Sequence, residues 1–443
     1  MSDPRTAGVP PAGGPEARGP FSPWLPWLAL ALAALSIMGD YYAYDAIAPD
    51  ADLLRRLHGL SQTQIGLLNA IFSLPNIPLS LVGGLFIDRF GAARTAVLTA
   101  AFGFVGAALT AWGEPFWLMA LGRLLFGIGE ETLLICLLAG VAQWFSGHPG
   151  RETAPGKAGG RAALAMSLLF SLARVGSYLA DISPRWAANL YAEGWRPPLV
   201  LAAGLCAFSL LASIGFLIVD RHRPGRPAKP PERFDLASFR GFDRSFWYIL
   251  GLNVLFASTF FPFRSTFAVV FFQDAKGLSL PEAGLLNSWV FFAAIFCTPI
   301  IGALADRFGH RAAWLSLGAA LLPITFLLLG ATNANLWITT VLMGVSFSVV
   351  PAVIWPATAM LVEEKRLGAA YGLINVLQSS GMFAANWAAG ALNDAFRAGP
   401  GNGGGYTPML ILLGGLSVVG LASTLALWRR ERGPHGHGLE AAG

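Results

Sequence analysis

The chain alternates long apolar runs with short polar breaks, and the runs are about as long as a helix must be to cross a bilayer, roughly 20 residues. In the first part the pattern predicts helices over 24–47, 64–87, 94–113, 116–145, 161–190 and 196–219. In the second part it predicts 245–273, 280–304, 311–331, 335–362, 367–394 and 406–428. Several runs exceed the minimum, which implies tilt or extension beyond the hydrocarbon. The expectation is an all-α membrane protein of twelve transmembrane helices. Its layout would be a disordered Pro/Gly-rich tail over 1–22, a six-helix half over 23–220, a linker over 221–244, a second half over 245–430 and a tail over 431–443. The linker, RHRPGRPAKPPERFDLASFRGFDR, is basic and Pro-rich, with a short interfacial stretch at Phe234, Leu236, Phe239 and Phe242.

Composition agrees with the pattern. Of 443 residues, 55% are hydrophobic and only 12% charged, whereas soluble domains are about one quarter charged. The net charge of +5 points to nucleic acid only if the basic residues form a patch, and they do not. They collect in the tails and in the breaks after even-numbered helices, among them Arg89, Arg94, Arg151, Lys157, Arg307, Arg311, Lys365, Arg366 and the WRRER at 428–432. The opposite breaks hold only Arg55, Arg56, Arg185, Arg196, Lys276 and Arg397. The positive-inside rule therefore places both termini in the cytoplasm; the Ala/Gly/Arg-rich composition makes the cytoplasmic membrane the expected location. Cys136, Cys206 and Cys297 lie far apart within apolar runs, without metal-ligand spacing, and read as small buried hydrophobes.

LSQTQIGLLN from Leu60 and LSLPEAGLLN from Leu278 each precede an apolar helix that ends in GLFIDRFG (84–91) or GALADRFG (302–309). The offset is 218 residues throughout, so the second and eighth helices are equivalent members of a parallel repeat. The pattern G-x-x-x-D-R-x-G at Gly84, Asp88, Arg89 and Gly91, repeated at Gly302, Asp306, Arg307 and Gly309, resembles the signature loop of the major facilitator superfamily. GRLLFGIG (122–129) resembles that superfamily's helix-4 pattern, with Arg123 as its arginine. The resemblance implies two pseudo-symmetric six-helix halves that rock about a central site. The loops would act as gating elements, their glycines permitting close approach and their aspartates meeting helix N-terminal amides or a basic partner.

GDYYAYDAI (39–47), FWLMALGRLLFGIGEETL (116–133), SLARVGSYL (171–179), FPF (261–263), IWPATAMLV (354–362) and LGAAYGLINVLQ (367–378) resemble the lysosomal dipeptide uniporters of the superfamily. That resemblance implies short peptides as substrates, moved without an obligatory ion. Two departures stand out: Glu130 replaces the glycine expected before the helix-4 acid, and Arg264 follows FPF in place of a basic residue further along.

The residues themselves point the same way. A charge at the bilayer centre costs about 2.5–3.5 kcal/mol on insertion scales, so buried ionisable groups are candidates for function. Glu131 stands about 15 residues into its helix, roughly 22 Å along the axis, and Arg174 is at comparable depth in the next helix. An acid and a base across a cavity suit a zwitterion whose ammonium and carboxylate are about 5–7 Å apart. The planar guanidinium suits the carboxylate. The family pattern assigns Glu131 to the ammonium and Arg174 to the carboxylate; the structural alternative is a direct salt bridge that binds nothing.

Around this pair, Tyr41 and Tyr44 with Asp45 share a face of the first helix. Trp355, Asn375 and Gln378 would supply an aromatic wall and amides from the second half. Arg264 would draw in anionic groups or close an outer gate. Glu130, seven residues from Arg123, would pair with it or carry a proton. Asp181, with Arg185 at i+4, suggests a local rim salt bridge, and Pro351 and Pro356 would break the ladder of the tenth helix. The partners implied are a dipeptide or similar small zwitterion and the lipid bilayer, with no nucleic acid, cofactor or metal; no accessory subunit is specified. A proton-coupled carrier of organic anions or drugs is the rival within transport, and a non-transporting sensor or partner subunit the rival outside it. No nucleotide loop, metal cluster or nucleophile–base pattern suggests an enzyme.

Overall fold

The computed structural model describes residues 24–145, 157–223, 241–332, 334–363 and 366–441, with positions 81–85, 88 and 157–163 described in their backbone alone. The tail over 1–22, most of the linker including Phe234, Leu236 and Phe239, and the side chain of Asp88 lie outside the described residues.

The fold is twelve transmembrane helices in two halves. The first half comprises α1 (Leu25–Arg56), α2 (Gln62–Ser73 continued by Asn76–Phe90), α3 (Ala92–Trp112), α4 (Phe116–Phe145), α5 (Lys157–Asp181) and α6 (Arg196–Asp220). The second comprises α7 (Arg244–Lys276), α8 (Leu280–Phe308), α9 (Arg311–Ala331), α10 (Leu336–Leu361), α11 (Leu367–Ala395) and α12 (Gly403–Glu431). Among the described residues nine of these are long and apolar enough to cross a membrane. The other three carry reasons for a weaker signal: Pro75 divides α2, and α5 and α11 carry polar residues along their length, among them Ser171, Arg174 and Ser177 in α5 and Asn375, Gln378 and Asn386 in α11.

The 218-residue repeat has a structural counterpart at each end. Ser61 and Gln64 form a capping box at the start of α2, and Ser279 and Glu282 form the same box at the start of α8. At the other end Gly91 (φ 83°) and Gly309 (φ 67°) turn the chain with left-handed dihedrals that favour glycine. Arg89 lies 5.5 Å from the Phe90 ring, and Arg307 lies 5.5 Å from the Phe308 ring.

Three helices depart from the sequence expectation. α5 stops at Asp181 and is followed by short helices Ser183–Trp186 and Ala188–Glu193, because Pro184 supplies no amide donor. α10 runs unbroken through Pro351 and Pro356, which membrane helices tolerate when neighbours and side chains meet the freed backbone. α7 contains Pro262 and widens into a π turn over Phe263–Phe267, a local geometry common at functional positions.

The start of α1 and the end of α12 share one face, termed terminal, and the opposite one is termed distal. On the terminal face, the chain after α12 is no loose tail. Leu439 is fully buried and its carbonyl accepts from the Arg311 amide at 2.8 Å. Glu440 accepts from the Ala313 amide and the Trp428 indole, and His437 contacts Glu431 at 3.0 Å.

Candidate functional site

Arg174 of α5 is half-buried at the seam between the halves. Its guanidinium carbon lies 4.8 Å from the Tyr41 ring of α1, 4.8 Å from Phe291 of α8 and 4.9 Å from Phe347 of α10. Both halves thus contribute an aromatic face, which stabilises a cation without neutralising it. Among the described residues no carboxylate comes within the 4.0 Å of an ion pair with it. Glu131 of α4 is also half-buried, on a helix packed against α5. Acid and base form no ion pair with each other, so the direct salt bridge is not formed.

Glu130 is buried, and its Oε2 has no hydrogen-bond partner. Asp40 of α1 behaves similarly: Cys206 Sγ donates to one carboxylate oxygen at 3.7 Å while Oδ2 has no partner. Arg123 does not pair with Glu130. Its guanidinium donates to Asn69 Oδ1 at 2.6 Å and to the carbonyls of Leu68, Ala43 and Tyr44 at 3.2, 3.3 and 3.4 Å. It also lies 5.8 Å from the Tyr44 ring and 5.1 Å from Phe126. Arg123 thus ties α1, α2 and α4 together, and Tyr44 belongs to that clamp rather than to the Arg174 cage.

Arg264, in the π turn of α7, is fully buried. It donates to Asp45 at 2.6 Å and to Asp181, so it bridges the second half to both α1 and α5. Asn287 of α8 completes the cluster by donating to Asp181 at 2.9 Å and to the Arg264 carbonyl at 3.1 Å. Asp181 is therefore not bound to Arg185, which instead donates to the Pro281 carbonyl at 3.1 Å. Arg264 is thus committed through both terminal nitrogens to Asp45 and Asp181, while its buried Nε has no hydrogen-bond partner.

Two further clusters join the halves on the distal face. Asp394 of α11 accepts from the amides of Gln62 and Thr63 at 2.9 and 2.7 Å, and so caps the N-terminus of α2 from across the seam. Asp274 accepts from Arg55 at 2.7 Å and from the Tyr406 hydroxyl at 2.6 Å, while Gln62 donates to Tyr406 at 2.9 Å. Asn69, the repeat partner of Asn287, donates to the Ser265 carbonyl at 2.9 Å and to Thr266 at 2.8 Å. These contacts close the distal face.

Among the remaining candidates, Gln378 accepts from Asn253 at 2.7 Å, and Asn375 is half-buried on the same helix. Trp355 packs edge-on to Tyr371, 5.4 Å between centroids, with the Tyr371 hydroxyl donating to its carbonyl. In the second signature loop Asp306 accepts from Arg311 at 2.9 Å. Sequence reasoning missed Phe291, Phe347 and Asp394, which have no local pattern to mark them. It also passed over Asn69 and Asn287, although both close the quoted repeat.

The family model of the Major Facilitator Superfamily matches residues 30–280 and 252–442. The chain is 30% identical over 372 residues to the lysosomal dipeptide transporter MFSD1 of Danio rerio, covering 80% of this chain and 78% of that protein. It is 28% identical over 384 residues to the same transporter of Homo sapiens, covering 83% and 80%. Among solved structures, a bacterial homologue of the human lysosomal transporter Spinster, inward-facing and unoccupied, superposes with a TM-score of 0.73 at 16% identity, over 92% of this chain and 98% of that one. Two matched halves, a paired signature loop and a closed distal seam lead to one assignment: the chain belongs to the major facilitator superfamily and is a multi-pass membrane transporter.

Proposed function

We propose that the protein is an alternating-access transporter of dipeptides, working as a uniporter, with no catalytic step. The observation that carries the reading is the unbonded pair at the seam: the Arg174 guanidinium lies among aromatic faces from both halves, with Glu131 on the neighbouring helix and no ion pair between them. Such a pair is ready for a ligand that brings its own anion and cation. The peptide carboxylate would meet the guanidinium fork and the ammonium would meet Glu131, leaving the side chains to a tolerant wall. The relatives named as dipeptide transporters support this substrate class. With termini on the cytoplasmic side, as the basic residues argue, the closed distal face is the extracytoplasmic one and the conformation is inward-facing.

Purified protein in liposomes should take up a labelled dipeptide. Glu131→Gln and Arg174→Ala should each lower apparent affinity by about 10–100-fold, the range expected for hydrogen bonds to a charged group. Full uptake by either variant would remove the site. A second reading rests on Glu130 and Asp40, two buried carboxylates with oxygens that lack partners. In the proton-coupled reading an imposed pH gradient drives uphill accumulation, and Glu130→Gln abolishes it. In the uniporter reading the same gradient changes transport only modestly.

A further inference from the structure

α5 and α8 run antiparallel along the seam, and their contacts fall in a single row. A Cβ at Gly284 would strike the Asp181 carbonyl oxygen; Asn287 bonds to Asp181; Phe291 meets Arg174; and Ser171 Oγ donates to the Ile295 carbonyl at 3.4 Å. Asn287 and Phe291 are four residues apart and share a helical face. The Phe291 ring is fully buried, and its centroid is 3.7 Å from the guanidinium carbon of Arg264 as well as 4.8 Å from that of Arg174. One ring therefore meets both the cation of the candidate substrate site and the cation of the distal gate. Phe347 closes the same group at 5.1 Å from Phe291.

We infer that Phe291 is a positioning residue that couples occupancy of Arg174 to the distal gate, an inference that rests on the assignment of Arg174 to the substrate carboxylate. The shared ring gives the coupling its sign. Asp45 and Asp181 hold Arg264 in the gate cluster, and the Arg174 guanidinium meets the same Phe291 ring. An arriving carboxylate draws that guanidinium from the aromatic cage. The ring, held from one side less, then packs less firmly against Arg264, and the buried cluster that closes the distal face loses part of its support. Occupancy thereby loosens the closed distal face, and a loaded carrier reorients faster than an empty one. A ligand shifts a conformational equilibrium only through such differential interaction with its two states.

The test uses full-length protein with spin labels at Leu57→Cys and Thr332→Cys, exposed positions on the distal face of each half, in a Cys297→Ser background. L-alanyl-L-alanine should lengthen the inter-label distance, and its C-terminal amide, lacking the carboxylate, should not. In liposome counterflow, Phe291→Leu should lower the maximal exchange rate by about tenfold, the scale of one lost cation–π contact, with the binding constant changed less. It should also abolish the ligand-induced distance change. Phe291→Tyr should retain both, and trifluorophenylalanine at 291, which keeps the shape but drains the ring face, should behave like leucine. A trifluorophenylalanine protein that matches wild type, or a leucine variant whose gate still answers L-alanyl-L-alanine, overturns the coupling while leaving the substrate site standing. A wild type that neither binds nor exchanges the dipeptide overturns both.

Discussion

At the scale of single residues, the chain separates its buried charges by whether they have partners. Arg264 has two, Asp45 and Asp181, all three without solvent exposure. Removing one partner of a buried pair costs about 3–5 kcal/mol because the others are left uncompensated. Here the bonds cross between halves, so the loss falls on the closed state rather than on each half. Arg264→Gln should open the distal face, read as a longer Leu57–Thr332 distance without ligand, and should cut dipeptide exchange. A variant with wild-type distances would show that the cluster does not hold the gate. The sequence pairs Asp181 with Arg185 because i+4 spacing is legible on any helix. The true partner is 83 residues away, and nothing in local spacing can find it. Glu131 and Arg174 were legible for the opposite reason: a charge deep in an apolar run is conspicuous whether or not it is paired. Their aromatic cage was not, since phenylalanines in a membrane helix look alike until the fold brings Phe291 and Phe347 to the seam.

At the scale of elements, the repeat that was plain in sequence organises the seam. Gly66 and Gly284 occupy equivalent places three residues before Asn69 and Asn287. A Cβ at Gly66 would run into the Asn386 carbonyl oxygen of α11, and one at Gly284 into the Asp181 carbonyl oxygen of α5. Each glycine lets a helix of one half touch the backbone of the other, and each asparagine then bonds across the gap. Gly66→Ala and Gly284→Ala should therefore both favour the distal-open state, by labelling distance, with reduced exchange. Gly204→Ala on α6, where nothing lies within 4 Å, should leave the distance unchanged and stabilise its helix by roughly 0.5–1 kcal/mol. An effect equal at all three positions would mean that the close approach is not the cause. The motif's spacing was visible because the repeat preserved it. Its use was not, because the partner helices, α11 and α5, lie outside the repeated segment.

At the scale of the whole molecule, two six-helix halves that move as bodies assign different roles to bonds within a half and bonds across the seam. The terminal-face clamp is of the first kind. Arg430 donates to both oxygens of Asp243 at 2.8 and 3.1 Å, Ser245 donates to Glu431 at 2.8 Å, and Leu439 is buried beside α9. Burial pushes the Asp243 carboxyl up, but hydrogen bonds from the Ser245 and Arg244 amides and the Arg430 guanidinium outweigh it and bring it down to about 2. A carboxylate held below its unfolded value of about 3.9 adds stability that is complete above that pH and is lost as pH falls through about 2. Asp243→Asn should therefore lower Tm at neutral pH and flatten its fall between pH 4 and 2. Leu439→Ser should lower Tm at every pH, by the roughly 1.5–3 kcal/mol of one buried leucine. Because both residues act within one half, neither change should move the Leu57–Thr332 distance. The gate variants should show the reverse, a shifted distance with a smaller change in Tm. If a clamp variant opened the distal face, the halves would not be rigid bodies, and the terminal segment would belong to the switching machinery rather than to the stability of the half that carries it.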